Sequence, residues 1–376
     1  MIIGIDGNEA NVENRVGVNV YCFNLLHNLQ KINENKQNPN YLIVYLKNRP
    51  LFDMPNPSKY FEYKILGDAK FWVLTKLTKH LLFNSEKINI LFTPSHYTTP
   101  FVTIPKVCSI MDLKYLENPT TFKKFTFWQL KYWTAISVFV SKRVLSISND
   151  VKNDIVRHYP FASKKIQVTH LSHDLKPNDF NVSDEDVRRI KKKYSIVDDY
   201  ILYLGTLKPS KNIDGLIKAY GILHNTYSTL QLVIAGKKGW LYESLFSLVE
   251  ELGLKDGIIF TDFFPEDEKA ILRRGARVFV QPSHTEGFGI DTLSMMALGV
   301  PVVVSKVDSL SEIVKDAGVY VDQNDPESIA TGIEKVLKLD KNEYTKLVTK
   351  GKIQASKFSW EKCATQTLEI LENAGR

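Results

Sequence analysis

Twice along this chain, short apolar segments alternate with amphipathic ones, and no other feature limits the fold as much. In the first half the segments 2–5, 41–46, 90–93, 107–110 and 144–148 read as strands. Between them Val18, Tyr21, Cys22, Leu25, Leu26 and Leu29 recur at helical spacing, and helical stretches fall near 70–83, 122–142 and 149–158. A polar, charged stretch follows at 176–199, helical near 184–194. The alternation then resumes with strands at 200–204, 231–235, 258–260, 278–281, 302–305 and 319–320. The helix after the first of these carries Ile213, Leu216, Ile217, Tyr220 and Leu223 on one face. Apolar strands separated by amphipathic helices imply parallel sheets with helices on both faces. The chain has 376 residues, which suits two domains at roughly 100–200 residues each. The expected division is a doubly wound domain over 1–180, a second over 181–355 and a closing segment over 356–376. In such sheets ligands bind beyond the carboxyl ends of the strands, so the loops there hold the functional information.

Composition removes several classes. With 44% hydrophobic and 24% charged residues, the chain is neither disordered nor collagenous. No stretch approaches ~18 consecutive apolar residues, so no spanning helix is expected. The opening MIIGID has no basic region ahead of it, so no secretory signal is expected. Cys22, Cys108 and Cys363 are far apart and odd in number. They read as buried thiols of a reducing cytosol, not as a disulfide or zinc framework. Residues 1–180 hold 23 Lys and Arg against 14 Asp and Glu, a net +9, while the rest of the chain carries −2. A basic half attracts phosphates, nucleic acid or an anionic membrane surface; the alternative is a solvated lysine-rich surface. No nucleic-acid motif accompanies the charge, so no nucleic-acid partner is expected.

The densest information lies in 278–304, VFVQPSHTEGFGIDTLSMMALGVPVVV. A strand ends at Pro282 and Ser283, and a tight loop leads into a helix starting near Asp291. Gly287 and Gly289 permit close backbone approach and positive φ. Amides opening a helix can hold phosphate or sugar oxygens, and Glu286 beside them can accept hydrogen bonds from sugar hydroxyls. A plain turn with a capping acid is the competing reading. A second loop, 205–212, also joins a strand to a helix and places Lys211 at a helix start. A cation there opposes the helix dipole and makes sense beside a diphosphate; an exposed loop lysine is the alternative. Gly17, entering the first helix, lets a backbone N–H reach an oxygen or simply admits the chain to the helix.

In order along the chain, MIIGID with its Gly loop, SIMDL, LSISNDVKNDI, YLGTLKPSKN, LVIAGKKGW, FVQPSHTEGFG and ALGVPVVVS together resemble retaining glycosyltransferases of family 4. The resemblance covers nearly the whole chain. It implies the GT-B fold: two facing Rossmann-like doubly wound domains with a cleft between them. FSWEKCATQTLEIL resembles that fold's closing helix, which implies packing back toward the N-terminal domain. By the same resemblance Glu286 and Lys211 are the catalytic pair, Glu286 orienting the donor sugar and Lys211 clamping the diphosphate. Donor binding falls to Gly17, Gly205, Thr206, Lys211, Glu286, Gly287, Phe288, Gly289 and Ser294. The family's motif is a Glu, seven residues and a second Glu; the second falls on Ser294, which is shorter and uncharged. Relatives often add an arginine in the Lys211 loop, where this chain has Thr206 and Ser210. They also often carry a histidine where this chain has Met111, so no catalytic histidine is assigned there. His96 follows a strand-like segment and is placed to face the cleft, or to lie at the surface or in a supporting role. Lys237, Lys238 and Trp240 are nucleotide neighbours by fold, or loop charges and a packed indole.

The expected activity is transfer of a hexose-type sugar from a nucleotide-diphosphate sugar to an acceptor hydroxyl, with retention, in glycan, polysaccharide or glycolipid synthesis. No metal and no cofactor beyond the co-substrate are expected. The acceptor is a glycan or lipid-linked molecule. The rival readings are another enzyme of the same fold, such as a nucleotide-sugar epimerase or a phosphorylase, and a catalytically weak nucleotide-sugar-binding protein. The location is cytoplasmic, with peripheral contact to the inner face of the membrane as the further option. Two lysine-rich aromatic segments, 70–80 and 123–133, bear on that option, although aromatic residues at helical spacing are more often core.

Overall fold

The structure is a computed structural model and describes residues 1–83, 87–117, 124–237, 239, 242–262 and 265–376. The chain divides into two compact units, residues 1–172 with 358–376, and residues 173–357.

The first unit is built on β1 (Ile2–Asp6), β2 (Tyr41–Leu46), β3 (Phe61–Ile65), β4 (Ile90–Thr93), β5 (Lys106–Ile110), β6 (Arg143–Ser146) and β7 (Ile166–Val168). They form one parallel sheet in the order β3-β2-β1-β4-β5-β6-β7. The inner strands are apolar because helices cover both faces; Ile3, Ile43, Phe92 and Val107 are wholly buried. The two edge strands, β3 and β7, are absent from the sequence reading. FEYKI mixes charge with apolar residues and IQV is very short, so neither shows the continuous apolar run of a central strand. The closing helix Trp360–Gly375 packs on the helix Val18–Glu34 of this unit. The Tyr21 and Trp360 rings lie 6.4 Å apart, and Asn40 Nδ2 donates to Glu372 Oε1 at 2.6 Å. Cys22, Cys108 and Cys363 are buried free thiols of this unit.

The second unit contains β8 (Tyr200–Leu204), β9 (Gln231–Ala235), β10 (Ile258–Asp262), β11 (Val278–Gln281), β12 (Val302–Ser305) and β13 (Val319–Val321). Its parallel sheet runs β10-β9-β8-β11-β12-β13. The strand order reverses between β8 and β11, so the crevice beyond their carboxyl ends is the natural ligand position. The unit begins at His173, seven residues before the end of the first domain drawn from the sequence, because Asp174 is tied inward by Lys269 and Arg273.

Beyond β8 and β9 two glycines bring the backbone together. Gly236 has φ 151°, and a Cβ there would lie 2.0 Å from the Gly205 carbonyl oxygen. The obstacle is backbone, so it cannot be relieved by a rotamer change. Gly236→Ala is expected to destabilise the protein by about 1–3 kcal/mol, the usual range for overpacking. Urea unfolding measures this, and an unchanged midpoint would mean that the two loops separate freely.

Candidate functional site

The reversal point brings together the loops that follow β8 and β11. Residues 209–211 make a single tight turn, and Asn212, at φ 54°, opens the helix Ile213–His224. Its side-chain Nδ2 donates to the Pro282 carbonyl at 3.0 Å and to the Gln323 carbonyl at 2.6 Å. The His284 N–H donates to the Ser210 carbonyl at 3.0 Å. These bonds hold the two loops in register, so their side chains are placed by backbone.

Across that junction Lys211 Nζ donates to Glu286 Oε1. Both side chains are largely buried, at 17% and 9% exposed. The carboxylate also accepts from Ser283 Oγ at 2.9 Å and from Gln281 Nε2. Burial pushes the Glu286 pKa up, but the Lys211 ammonium and these donors outweigh it and hold the group below its ordinary value. Glu286 is therefore charged at neutral pH. Ser309 Oγ donates to the Glu286 carbonyl at 2.9 Å, fixing the loop from behind.

Of the two loop glycines, Gly289 takes the positive φ, at 105°, and Gly287 does not. A Cβ on Gly289 would meet Leu310 Cδ2 at 2.6 Å, so the helix Ile290–Leu298 starts tight against its neighbour. Phe288 is buried under the turn. Gly205 ends β8 and donates its N–H to the Ala235 carbonyl at 3.0 Å, with Thr206 half-buried beside it. These residues and the Lys211–Glu286 pair share one end of one sheet.

Ser294 is elsewhere in its bonding. It is wholly buried, and its Oγ lies 2.7 Å from Asp174 Oδ1 and 2.9 Å from the Ile290 carbonyl. A carboxylate therefore does stand at this position, but it is supplied by residue 174. Arg273 donates to Asp174 Oδ1 at 2.7 Å and to Asp291, and Lys269 donates to Asp174 Oδ2 at 2.6 Å. The Asp291 carboxylate is thus engaged by Arg273. Burial pushes the Asp174 carboxyl up; Arg273 and then Lys269 outweigh it and hold the group well below the usual carboxylate range. Asp174, Lys269 and Arg273 were not anticipated. Lys269 and Arg273 do stand one turn apart, which puts them on one helix face, but Asp174 carries no local signal.

Gly17 opens the helix Val18–Glu34 of the first unit with φ 52°. His96 also belongs to the first unit, where burial pulls its pKa down to about 4. Lys237 lies in the loop after β9, its carbonyl accepting the Leu207 N–H at 2.9 Å. Lys238 and Trp240 lie outside the described residues.

Two parallel-sheet units, with charged loops meeting at the reversal point of the second, define a Rossmann-like architecture. Residues 186–354 match the family model of glycosyl transferases group 1. The chain is similar to O-antigen chain mannosyltransferase B of Escherichia coli, 37% identical over 234 residues, 61% of this chain and 60% of the relative. It is also similar to O-antigen chain mannosyltransferase RfbU of Salmonella typhimurium, 29% identical over 249 residues, 66% of this chain and 65% of that protein. The match thus spans somewhat less than two thirds of these relatives' own length. Among solved structures, WaaG, a glycosyltransferase involved in lipopolysaccharide biosynthesis, superposes with a TM-score of 0.72 at 14% identity over 99% of each chain. Anabaena Alr3699/HepE in complex with UDP-glucose gives 0.75 at 15% identity, again over 99% of each. At such identities the likeness establishes the fold, which is GT-B.

Proposed function

We propose that this protein transfers a hexose from a nucleotide-diphosphate sugar to an acceptor hydroxyl, with retention, in the manner of family 4. The observation that carries the reading is the Lys211–Glu286 pair at the reversal point of a group 1 glycosyl transferase domain. One loop offers an ammonium suited to a diphosphate and the other a carboxylate suited to sugar hydroxyls. Gly205, Thr206, Gly287, Phe288 and Gly289 shape the donor's seat. Catalysis then consists of positioning the donor and stabilising the leaving diphosphate. Lys211 and helix-end amides meet that charge without a metal ion. Mannose is the favoured sugar and a polysaccharide the favoured product, since the relatives named above are O-antigen mannosyltransferases. The acceptor is a glycan or a lipid-linked glycan. Among the described residues no helix is long and apolar enough to cross a membrane, and the proposed location is cytoplasmic, with peripheral contact at the inner face.

The test is transfer of radiolabelled mannose from nucleotide-diphosphate mannose to a lipid-linked oligosaccharide extract. Glu286→Gln keeps the size and removes the charge. It is expected to lower transfer about 10- to 150-fold, the worth of a charged hydrogen bond, while nucleoside diphosphate affinity stays near the parent's. Undiminished transfer would remove Glu286 from the sugar site. Interconversion of free nucleotide sugars without acceptor, followed by nuclear magnetic resonance, would point instead to an epimerase.

A further inference from the structure

The helix Lys124–Val140 of the first unit has two faces of different character. One face turns inward: Trp133 Nε1 donates to the Thr98 carbonyl at 3.1 Å, Ser137 Oγ accepts from the Thr98 N–H at 3.0 Å, and Val138 is wholly buried. The other exposes Phe125 at 71%, Trp128 at 46%, Tyr132 at 60%, Ile136 at 42% and Phe139 at 72%. These positions are three or four residues apart, so they form a single stripe about 21 Å long at 1.5 Å per residue. Phe161, also exposed, extends it, with its ring 5.9 Å from that of Phe139. Aromatic residues at helical spacing are ordinarily core; here the helix sends Trp133 inward and most of its other aromatic side chains out. A contiguous exposed apolar patch of this kind marks an interaction site.

Charge identifies the partner. From residue 118 to residue 149 the sequence contains no Asp or Glu, and Lys124, Lys131, Lys142 and Arg143 accompany the stripe. Lys131 Nζ lies 4.9 Å from the Trp128 ring centre. Lys165 Nζ donates to the Phe139 and Ser141 carbonyls and lies 5.5 Å from the Phe161 ring centre. Trp and Tyr sit at the headgroup level of a bilayer, with lysines reaching the phosphates beside them. We infer that this helix lies flat on an anionic lipid bilayer, its aromatic stripe at the headgroup–acyl boundary and its lysines on the lipid phosphates. The inference rests on the helix alone. Its assay contains no sugar donor, so its failure would leave the glycosyl-transfer reading intact.

The experiment is co-sedimentation with phosphatidylcholine vesicles, with and without one-third phosphatidylglycerol, at low and high salt. The parent is expected to bind the anionic vesicles at low salt and to come off as salt rises. The variant Lys124→Gln, Lys131→Gln, Lys142→Gln should lose about a hundredfold in binding, at roughly fivefold per lysine. The variant Phe125→Ser, Trp128→Ser, Phe139→Ser keeps every charge and should lose at least as much. Thermal melts equal to the parent's confirm that both variants are folded. If the aromatic variant melts early, Phe125→Ser and Phe139→Ser singly should each weaken binding. Equal sedimentation with neutral and anionic vesicles would overturn the inference, as would parental binding by the aromatic variants. Self-association through the stripe without vesicle binding would overturn it too, making this face a contact between copies of the chain.

Discussion

Arg273→Met is expected to lower the unfolding free energy by about 3–5 kcal/mol, the cost of removing one partner from a buried charged network. The guanidinium is 1% exposed and holds Asp174 and Asp291 together. Methionine fills similar space but leaves Asp174 with Lys269 and the Ser294 hydroxyl, and Asp291 without its cation. The midpoint of thermal unfolding should fall on the order of 10 °C for a domain of this size. The pH dependence supplies a second reading. The Asp174 pKa is depressed in the folded state, burial notwithstanding, by Arg273 and Lys269. Such a group contributes stability that is complete above its unfolded value of about 3.9 and is lost as pH falls through the folded value. The parent should therefore lose this contribution only in acid. In Arg273→Met the folded pKa moves back toward the unfolded one, so stability should depend less on pH below about 4. Urea unfolding across a pH series measures both effects. A variant with the parent's midpoint would show that the network contributes nothing net.

Lys211→Met is expected to weaken nucleoside diphosphate binding about 10- to 150-fold, the worth of a charged hydrogen bond, and to leave free nucleoside binding unchanged. Calorimetry with the two ligands separates the phosphate from the base and ribose. The substitution also strands a largely buried carboxylate, because Glu286 keeps only Ser283 and Gln281 as donors. A loss of stability is therefore expected as well. Pairing it with Glu286→Gln removes both charges, and replacing a whole buried ion pair is often close to neutral. The double variant should thus regain the parent's melting temperature without regaining diphosphate affinity. Recovery of both together would mean that Lys211 serves the fold and not the ligand.

Much of this was legible before any coordinates. Strand and helix periodicities are local properties of the chain, so the central strands β1, β2, β4, β8, β9 and β11 stand out as apolar runs. The resemblance to glycosyltransferases rests on loops that follow those strands, and such loops carry compositional marks: Gly205, Lys211, Glu286 and Gly289 all lie in them. The edge strands β3 and β7 lacked that signal because a strand with one free edge is not forced to be apolar on both faces.

What sequence could not decide is which distant charges meet. The resemblance to the family places Ser294 where relatives carry a second glutamate, and nothing local tells that Asp174, 120 residues earlier in the chain, brings a carboxylate to it. Nor does periodicity say which aromatic residues of the helix Lys124–Val140 turn inward; it orders them around the helix and leaves the choice of buried face to packing. Local patterning determined the two sheets and the loops at their ends, because backbone hydrogen bonding and side-chain period act over a few residues. Tertiary structure decided the partners of Glu286, Ser294 and Arg273, because an ion pair depends on distance in space, and the sheet order sets that distance.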